Sequence, residues 1–344
     1  MSISTFLSRL LLLLIALPAL ASAGGTLRVL AWPGYADADL VRQFEKRHDA
    51  RVEVTLVSTD DDMRERLRKH NGGDFDVFAA NTAEISQYIE QGISVALDPA
   101  AIPNTKQQLA RFRDLAAIPG IVRNGVVYAI PYTYSEMGLI YDRAQFGAPP
   151  SSISALWDAR HKGRVLAFQD STHNFSIAAQ ALGMKDPFQI APGEFTRVAR
   201  HLVGLRRNVL SFYSTPEEAT ELFIRHRAAL MFANFGAQQV EQLRRAGADI
   251  GYVIPNEGAL AWLDCWSLAH GVRDRKLAHA WIDFTLERAF SRALTSRHGL
   301  ANTLEASLFM QAGANIIWLA KVEQPARRAA LWRKIFSGDL PQEL

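Results

Sequence analysis

The sequence predicts an α/β protein of two lobes, each a mostly parallel sheet flanked by helices. Three observations predict it. From Thr26 onward, short apolar runs alternate with amphipathic helical patterns, β then α, which is the order of a parallel sheet. The stretch 126–141 holds two extended runs around a loop, and beyond it the alternation starts again, so a first lobe ends there and the chain crosses into a second. The 344 residues also suffice for two cores of ordinary domain size.

Residues 1–23 stand apart from this pattern. Arg9 is their only charge, an apolar run covers 10–20, and Ala21-Ser22-Ala23 follows. That is the layout of a secretory signal peptide cleaved near Ala23, with export to the periplasm as the expectation. The run is short of the roughly twenty apolar residues a spanning helix needs; an uncleaved interfacial anchor is the alternative. Ala23 is not Cys, so a lipid anchor is not indicated. Removal of the leader leaves 344 − 23 = 321 residues. With 49% hydrophobic and 21% charged residues the chain reads as packed and globular. A net charge of +3 with scattered basic residues argues against nucleic acid. Cys265 is the only cysteine, so no internal disulfide can form, and it is expected to be a small buried apolar residue.

The elements follow in order. A buried strand is predicted over 27–32 and breaks at Pro33-Gly34. Asp37 can cap the next helix, which carries Leu40, Val41 and Phe44 on one face. A second strand spans 51–57. Thr59 can cap the helix after it, and Asp60, Asp61 and Asp62 suit its positive start. A third strand at 76–80 leads to a helix from Thr82 to Gly92. Ligands of such sheets gather at strand carboxyl ends, which makes Trp32, Tyr35, Asn81 and Thr82 candidate binding residues. The second lobe is predicted to hold a strand at 164–168, a polar turn at 169–174 and a helix at 175–182. Helices at 194–205 and 217–226 follow. A strand at 228–233 ends in the turn Asn234-Phe235-Gly236, with a helix at 238–246 and a strand at 250–254 beyond it. Helices at 276–286, 289–297 and 326–336 complete the chain.

After the turn Pro255-Asn256-Glu257-Gly258 comes Ala-Leu-Ala-Trp-Leu-Asp-Cys-Trp-Ser, 259–267. On a strand Trp262 and Asp264 project from one face. A ring beside a carboxylate suits an organic cation, held by cation–π attraction and charge-assisted hydrogen bonds. The plainer alternative is a core tryptophan beside a surface or capping aspartate.

These pieces together resemble a family. Trp32-Pro33-Gly34-Tyr35, Asp74-Phe75-Asp76-Val77, Tyr128-Ala129-Ile130-Pro131-Tyr132, Lys162-Gly163-Arg164, Pro255-Asn256-Glu257-Gly258 and Trp262-Leu263-Asp264 are similar to stretches of the solute-binding proteins of bacterial importers. These have the two-lobed type II periplasmic, or Venus-flytrap, fold, and the likeness is greatest to the spermidine/putrescine-binding branch. The resemblance implies lobes that close on a ligand and present it to an ABC permease. It implies lobe 1 from 24–131 and 266–312, lobe 2 from 132–265, and a C-terminal helical segment, 313–344, packed across both. Trp32 and Tyr35 match pocket aromatics; Trp262 and Asp264 match the ring and carboxylate that hold one amine; Asp170 matches a second carboxylate, helix capping being its alternative role.

The chain also departs from the family pattern. Ala83 and Ala233 stand where pocket aromatics are expected, Leu300 replaces a tyrosine, and a second acid in the turn after Asp170 falls at His173. Glu136 could restore a carboxylate to the cleft or be a solvated loop residue, and His173 could sense pH or simply be a polar turn residue. With Asn81, Thr82 and Asn234 these complete the candidate site. The ligand expected is a small polyamine-like cation bound by a monomer. A membrane sensor in place of a permease, or an enzyme acting on an amine, are the competing readings. No G-x-S-x-G, H-E-x-x-H or clustered Cys/His spacing is present, so no catalytic residue, metal or cofactor is predicted.

Overall fold

The structure, a computed structural model, describes residues 24–307 and 315–338. The expected signal peptide lies outside the described residues, as does part of the expected C-terminal segment. The first lobe begins β1 (Thr26–Ala31), α1 (Ala38–His48), β2 (Arg51–Leu56), α2 (Asp60–Lys69), β3 (Val77–Asn81) and α3 (Thr82–Glu90). Short elements follow: β4 (Ser94–Val95), α4 (Ala110–Arg113), β5 (Val122–Arg123) and β6 (Val126–Val127), then the long β7 (Ala129–Met137). The second lobe holds β8 (Leu139–Asp142), β9 (Val165–Phe168), α5 (Ser171–Ala181), α6 (Phe195–Asn208), β10 (Val209–Tyr213), α7 (Pro216–Arg225), β11 (Leu230–Phe232), α8 (Ala237–Arg245) and β12 (Ile250–Val253). The chain returns through β13 (Ala259–Ala269), α9 (Arg275–Thr285), α10 (Arg288–His298), β14 (Ala301–Asn302), β15 (Ile316–Trp318) and α11 (Pro325–Ser337).

Two sheets form the lobes. The first runs β14-β7-β13-β3-β1-β2, with β4 and β15 also on β13; the second runs β10-β9-β11-β8-β12. β1 is parallel to β2 and β3, and β9 is parallel to β10 and β11. The long β7 and β13 pair antiparallel, and every residue in both is buried. Strands covered on both faces carry no polar alternation, so nothing in the sequence marks where one lobe ends. The expected lobe borders, at 131/132 and 265/266, fall inside β7 and β13. The chain changes sheets at Gly138 and again between Val253 and Ala259.

Other expectations shift for local reasons. The predicted loop between two extended runs at 126–141 is a single residue, Gly138. It is glycine because a Cβ there would lie 2.6 Å from the Val253 carbonyl oxygen. The predicted polar turn at 169–174 is mostly helix: α5 starts at Ser171, and Asp170 caps it. No strand is predicted at 209–213, yet β10 forms there as the half-exposed edge of the second sheet, entered straight from α6 with no Gly or Pro to announce it. Asp37 stands at the start of α1 but does not cap it; its carboxylate instead meets His298 at 2.9 Å and Arg297 at 2.9 Å, near the end of α10.

The last described segment touches both lobes. β15 pairs with β13 in the first, while α11 packs on α5 and α6 of the second. Arg328 of α11 is fully buried. It pairs with Glu323 at 3.0 Å and donates to Ser176 Oγ at 2.9 Å and to the carbonyl oxygens of Thr172 and Phe188 at 3.0 and 3.2 Å.

Candidate binding cleft

Four helices begin at strand carboxyl ends that face each other across the lobes. Each is capped by a side chain that also lines the cleft. Thr59 Oγ1 accepts from Asp62 N at 3.1 Å, Asn81 Oδ1 from Glu84 N at 3.0 Å, Asp170 Oδ1 from His173 N at 2.7 Å and Thr215 Oγ1 from Glu218 N at 3.1 Å. Helix starts carry partial positive charge and by themselves favour an anion. The lining reverses that preference: it contains Asp60, Asp170, Glu217 and Asp264 and neither Lys nor Arg. Trp32, Tyr35, Phe168, Phe235 and Trp262 supply rings. The cleft and the open solvent at its mouth together hold about 830 Å³ of atom-free space.

Asp264 lies at the centre. The ladder between β13 and β7 slips one register step beside it: Asp264 is matched to Thr133 and Cys265 to Pro131, which leaves Tyr132 as the extra residue. Tyr35 donates its hydroxyl to Asp264 Oδ2 at 2.7 Å. Among the described residues the other oxygen, Oδ1, carries no hydrogen bond. Burial pushes the carboxyl up to about 7, against the pull of the Tyr35 hydroxyl. Burial, with the Asp264 charge, also holds the Tyr35 phenol well above its usual range, so it stays a donor. Trp262, two residues before Asp264 on the same face, donates Nε1 to the Asn234 carbonyl oxygen at 3.0 Å and so fastens the first sheet to the second lobe. Gly236 makes that turn possible, with φ of +48° and a Cβ position 2.0 Å from Ser135 Oγ.

Eight of the ten residues expected from the sequence line this cleft: Trp32, Tyr35, Asn81, Asp170, His173, Asn234, Trp262 and Asp264. His173 is buried in the first turn of α5, its Nδ1 2.8 Å from Asn234 Oδ1. Asp170 caps α5, and it also lines the cleft.

Thr82 and Glu136 do not line it. Thr82 opens α3 and donates to the Leu319 carbonyl oxygen at 3.4 Å. Glu136 is not a loop residue. It sits on β7 opposite Ala261, one step out of phase with the Trp262–Ser135 and Asp264–Thr133 pairs, and so projects from the other face of the sheet. It is fully buried, neither carboxylate oxygen has a hydrogen-bond partner among the described residues, and burial pushes it up to about 7. Of the four departures, His173 and Leu300 line the cleft, whereas Ala83 and Ala233 do not.

Sequence reasoning missed Asp60, Phe168, Ser214, Thr215, Glu217 and Phe235. Phe168 ends β9, and Asp60 and Phe235 lie in the turns or helix starts after β2 and β11, so the strand-end rule applied to Trp32 also covers them. Ser214, Thr215 and Glu217 follow β10, the strand that was not predicted. Among the described residues no group of three or more His, Cys, Asp or Glu is arranged to hold a metal ion. Nor is any helix there long and apolar enough to cross a membrane.

Comparison with known proteins bears on this geometry. The family model for bacterial extracellular solute-binding proteins matches residues 39–305. The spermidine/putrescine-binding periplasmic protein 1 of Haemophilus influenzae is 24% identical over 279 residues, 80% of this chain and 75% of that protein. The spermidine/putrescine-binding periplasmic protein of Escherichia coli is 24% identical over 271 residues, 77% of this chain and 74% of that one. Among solved structures, the spermidine/putrescine ABC transporter substrate-binding protein PotD of Streptococcus pneumoniae superposes with a TM-score of 0.72 at 18% identity, covering 92% of this chain and 100% of its own.

Proposed function

Because the chain belongs to the family of bacterial extracellular solute-binding proteins, we propose that it captures a small organic cation, a polyamine or related amine, in the interlobe cleft and presents it to an ABC importer. The relatives named for spermidine and putrescine support the ligand class; the fold alone does not fix a ligand. The observation that carries the proposal is the lining: carboxylates and aromatic rings with no Lys or Arg. One ammonium group is held between the free Oδ1 of Asp264 and the face of Trp262. Trp32 flanks the alkyl chain, and Asp170 receives positive charge from the second lobe. A cation buried here without a carboxylate partner would be very costly, so the acids are a physical requirement of the site. The leader at 1–23 supports export to the periplasm, where such capture takes place.

The test is a thermal-shift and calorimetric screen of the mature chain against putrescine, cadaverine, agmatine, spermidine and norspermidine. A ligand that binds only the folded state raises the melting temperature, and at a hundredfold excess over Kd it adds roughly 2.7 kcal/mol. A screen in which no amine shifts the melt overturns the proposal. Native mass spectrometry of protein taken from its own periplasm identifies a retained ligand by mass.

A further inference from the structure

Asp60, like Glu217, is a cleft carboxylate that no ligand role has yet claimed. It is the first residue of α2, in the first lobe, and it lines the same space as Asp170 of the second lobe. The nearest cation is already occupied: Arg64 pairs with Glu84 at 2.8 Å and with Asp61, and among the described residues no ion pair reaches Asp60. Its hydrogen bond from Asn81 Nδ2 is long, at 3.4 Å. Burial and the charges of Glu84, Asp170 and Asp264, against the pull of Arg64, push its carboxyl well above the usual range, as expected of an acid lacking a counterion. Helix capping does not need it, because Thr59 caps α2.

We propose that Asp60 is a specificity-determining residue of the cleft: with Asp170 on the facing lobe it holds the second positive charge of a dicationic amine, so that the lobes close on dications and not on monoamines. The inference rests on the reading of the cleft as an amine site. Its physical basis is the split of the two acids between the lobes. Closure brings Asp60 and Asp170 into one enclosed space, where two like charges repel strongly. A monoamine held at Asp264 leaves that repulsion in place. A diamine puts an ammonium group between the two acids and turns repulsion into a bridge from lobe to lobe. Selectivity then comes largely from the penalty on the wrong ligand.

The test compares putrescine with n-butylamine, which has the same four-carbon chain and one ammonium group fewer. Calorimetry of the mature chain at pH 8 gives both affinities, and small-angle scattering gives the radius of gyration with each amine. The wild type is expected to prefer putrescine by about a hundredfold or more, and to become compact with putrescine alone. Asp60→Asn keeps the side-chain shape and leaves Thr59 in place, and it should cut that preference by at least about tenfold. Asp264→Asn should weaken both amines together. An Asp60→Asn protein with the wild-type preference, or a wild type that n-butylamine compacts as putrescine does, overturns the role of Asp60 and leaves the amine site standing. A wild type that binds neither amine overturns both.

Discussion

Tyr35 and Asp264, 229 residues apart in sequence, meet through one hydrogen bond of 2.7 Å in the buried centre of the cleft. The bond ties the loop after β1 to β13, the strand by which the chain returns to the first sheet. It also favours the charged form of the carboxyl, which burial disfavours.

Tyr35→Phe removes that donor and keeps the ring. The Asp264 carboxyl should then titrate above its present value of about 7. Affinity for the best amine should fall by about tenfold or more, since a hydrogen bond to a charged group contributes roughly 1.5–3 kcal/mol. Calorimetry at pH 8 and pH 6 measures the loss, which should be larger at pH 6. An equal loss at both values would mean that Tyr35 acts by packing alone.

Binding itself should depend on pH with a defined sign. An ammonium ligand needs the Asp264 carboxylate, whereas the empty cleft holds a carboxyl that titrates at about 7. Amines stay protonated to about pH 10. Affinity should therefore rise with pH up to about 7 and level off above it. It should be about a hundredfold weaker at pH 5 than on the plateau, one factor of ten per unit. Calorimetry in buffers of different ionisation enthalpy should detect proton release near pH 6. An affinity that stays flat from pH 5 to pH 8 would show a carboxylate already charged before ligand arrives.

Glu136 governs stability in the opposite direction from a salt-bridged acid. Its folded value, about 7, lies above the ordinary 4.5. The folded state therefore keeps a proton that the unfolded chain has lost, and stability present below about pH 4.5 is lost as pH rises through about 7. The shift corresponds to at most about 3 kcal/mol. Glu136→Gln should raise the urea midpoint at pH 8 and change it little at pH 5. Because the side chain projects away from the cleft, amine affinity should hold.

Arg328 fixes α11 to the second lobe from a fully buried position. Arg328→Met leaves Glu323 and several carbonyl oxygens without their donor. Breaking a buried pair from one side costs roughly 3–5 kcal/mol. Urea unfolding should show that loss, and hydrogen exchange should find α11 and α5 exposed first.

The two-lobed fold and most of the cleft are legible in the sequence, because strand ends announce themselves. Trp32, Tyr35 and Asn81 each sit where an apolar run stops, and Trp262 with Asp264 follows from a period of two. What is not legible depends on pairing. The facing direction of Glu136 is set by its register against Ala261, which no local pattern encodes. Asp60 reads as an ordinary acid at a helix start, and only the fold brings it opposite Asp170. The lobe borders vanish inside β7 and β13 because both strands are buried along their whole length.

Gly138 leaves no spare chain where β7 of one sheet becomes β8 of the other. Its N–H receives no slack from a loop, being bonded to the Tyr252 hydroxyl oxygen at 3.1 Å, while its carbonyl oxygen accepts from Ala233 N at 2.9 Å. A joint of one residue bonded on both sides resists sliding and permits turning. In the proposed closure the lobes turn about this joint and the second crossover between Val253 and Ala259, so a rotation of a few degrees there displaces the far rim of the cleft more than the residues beside the joint.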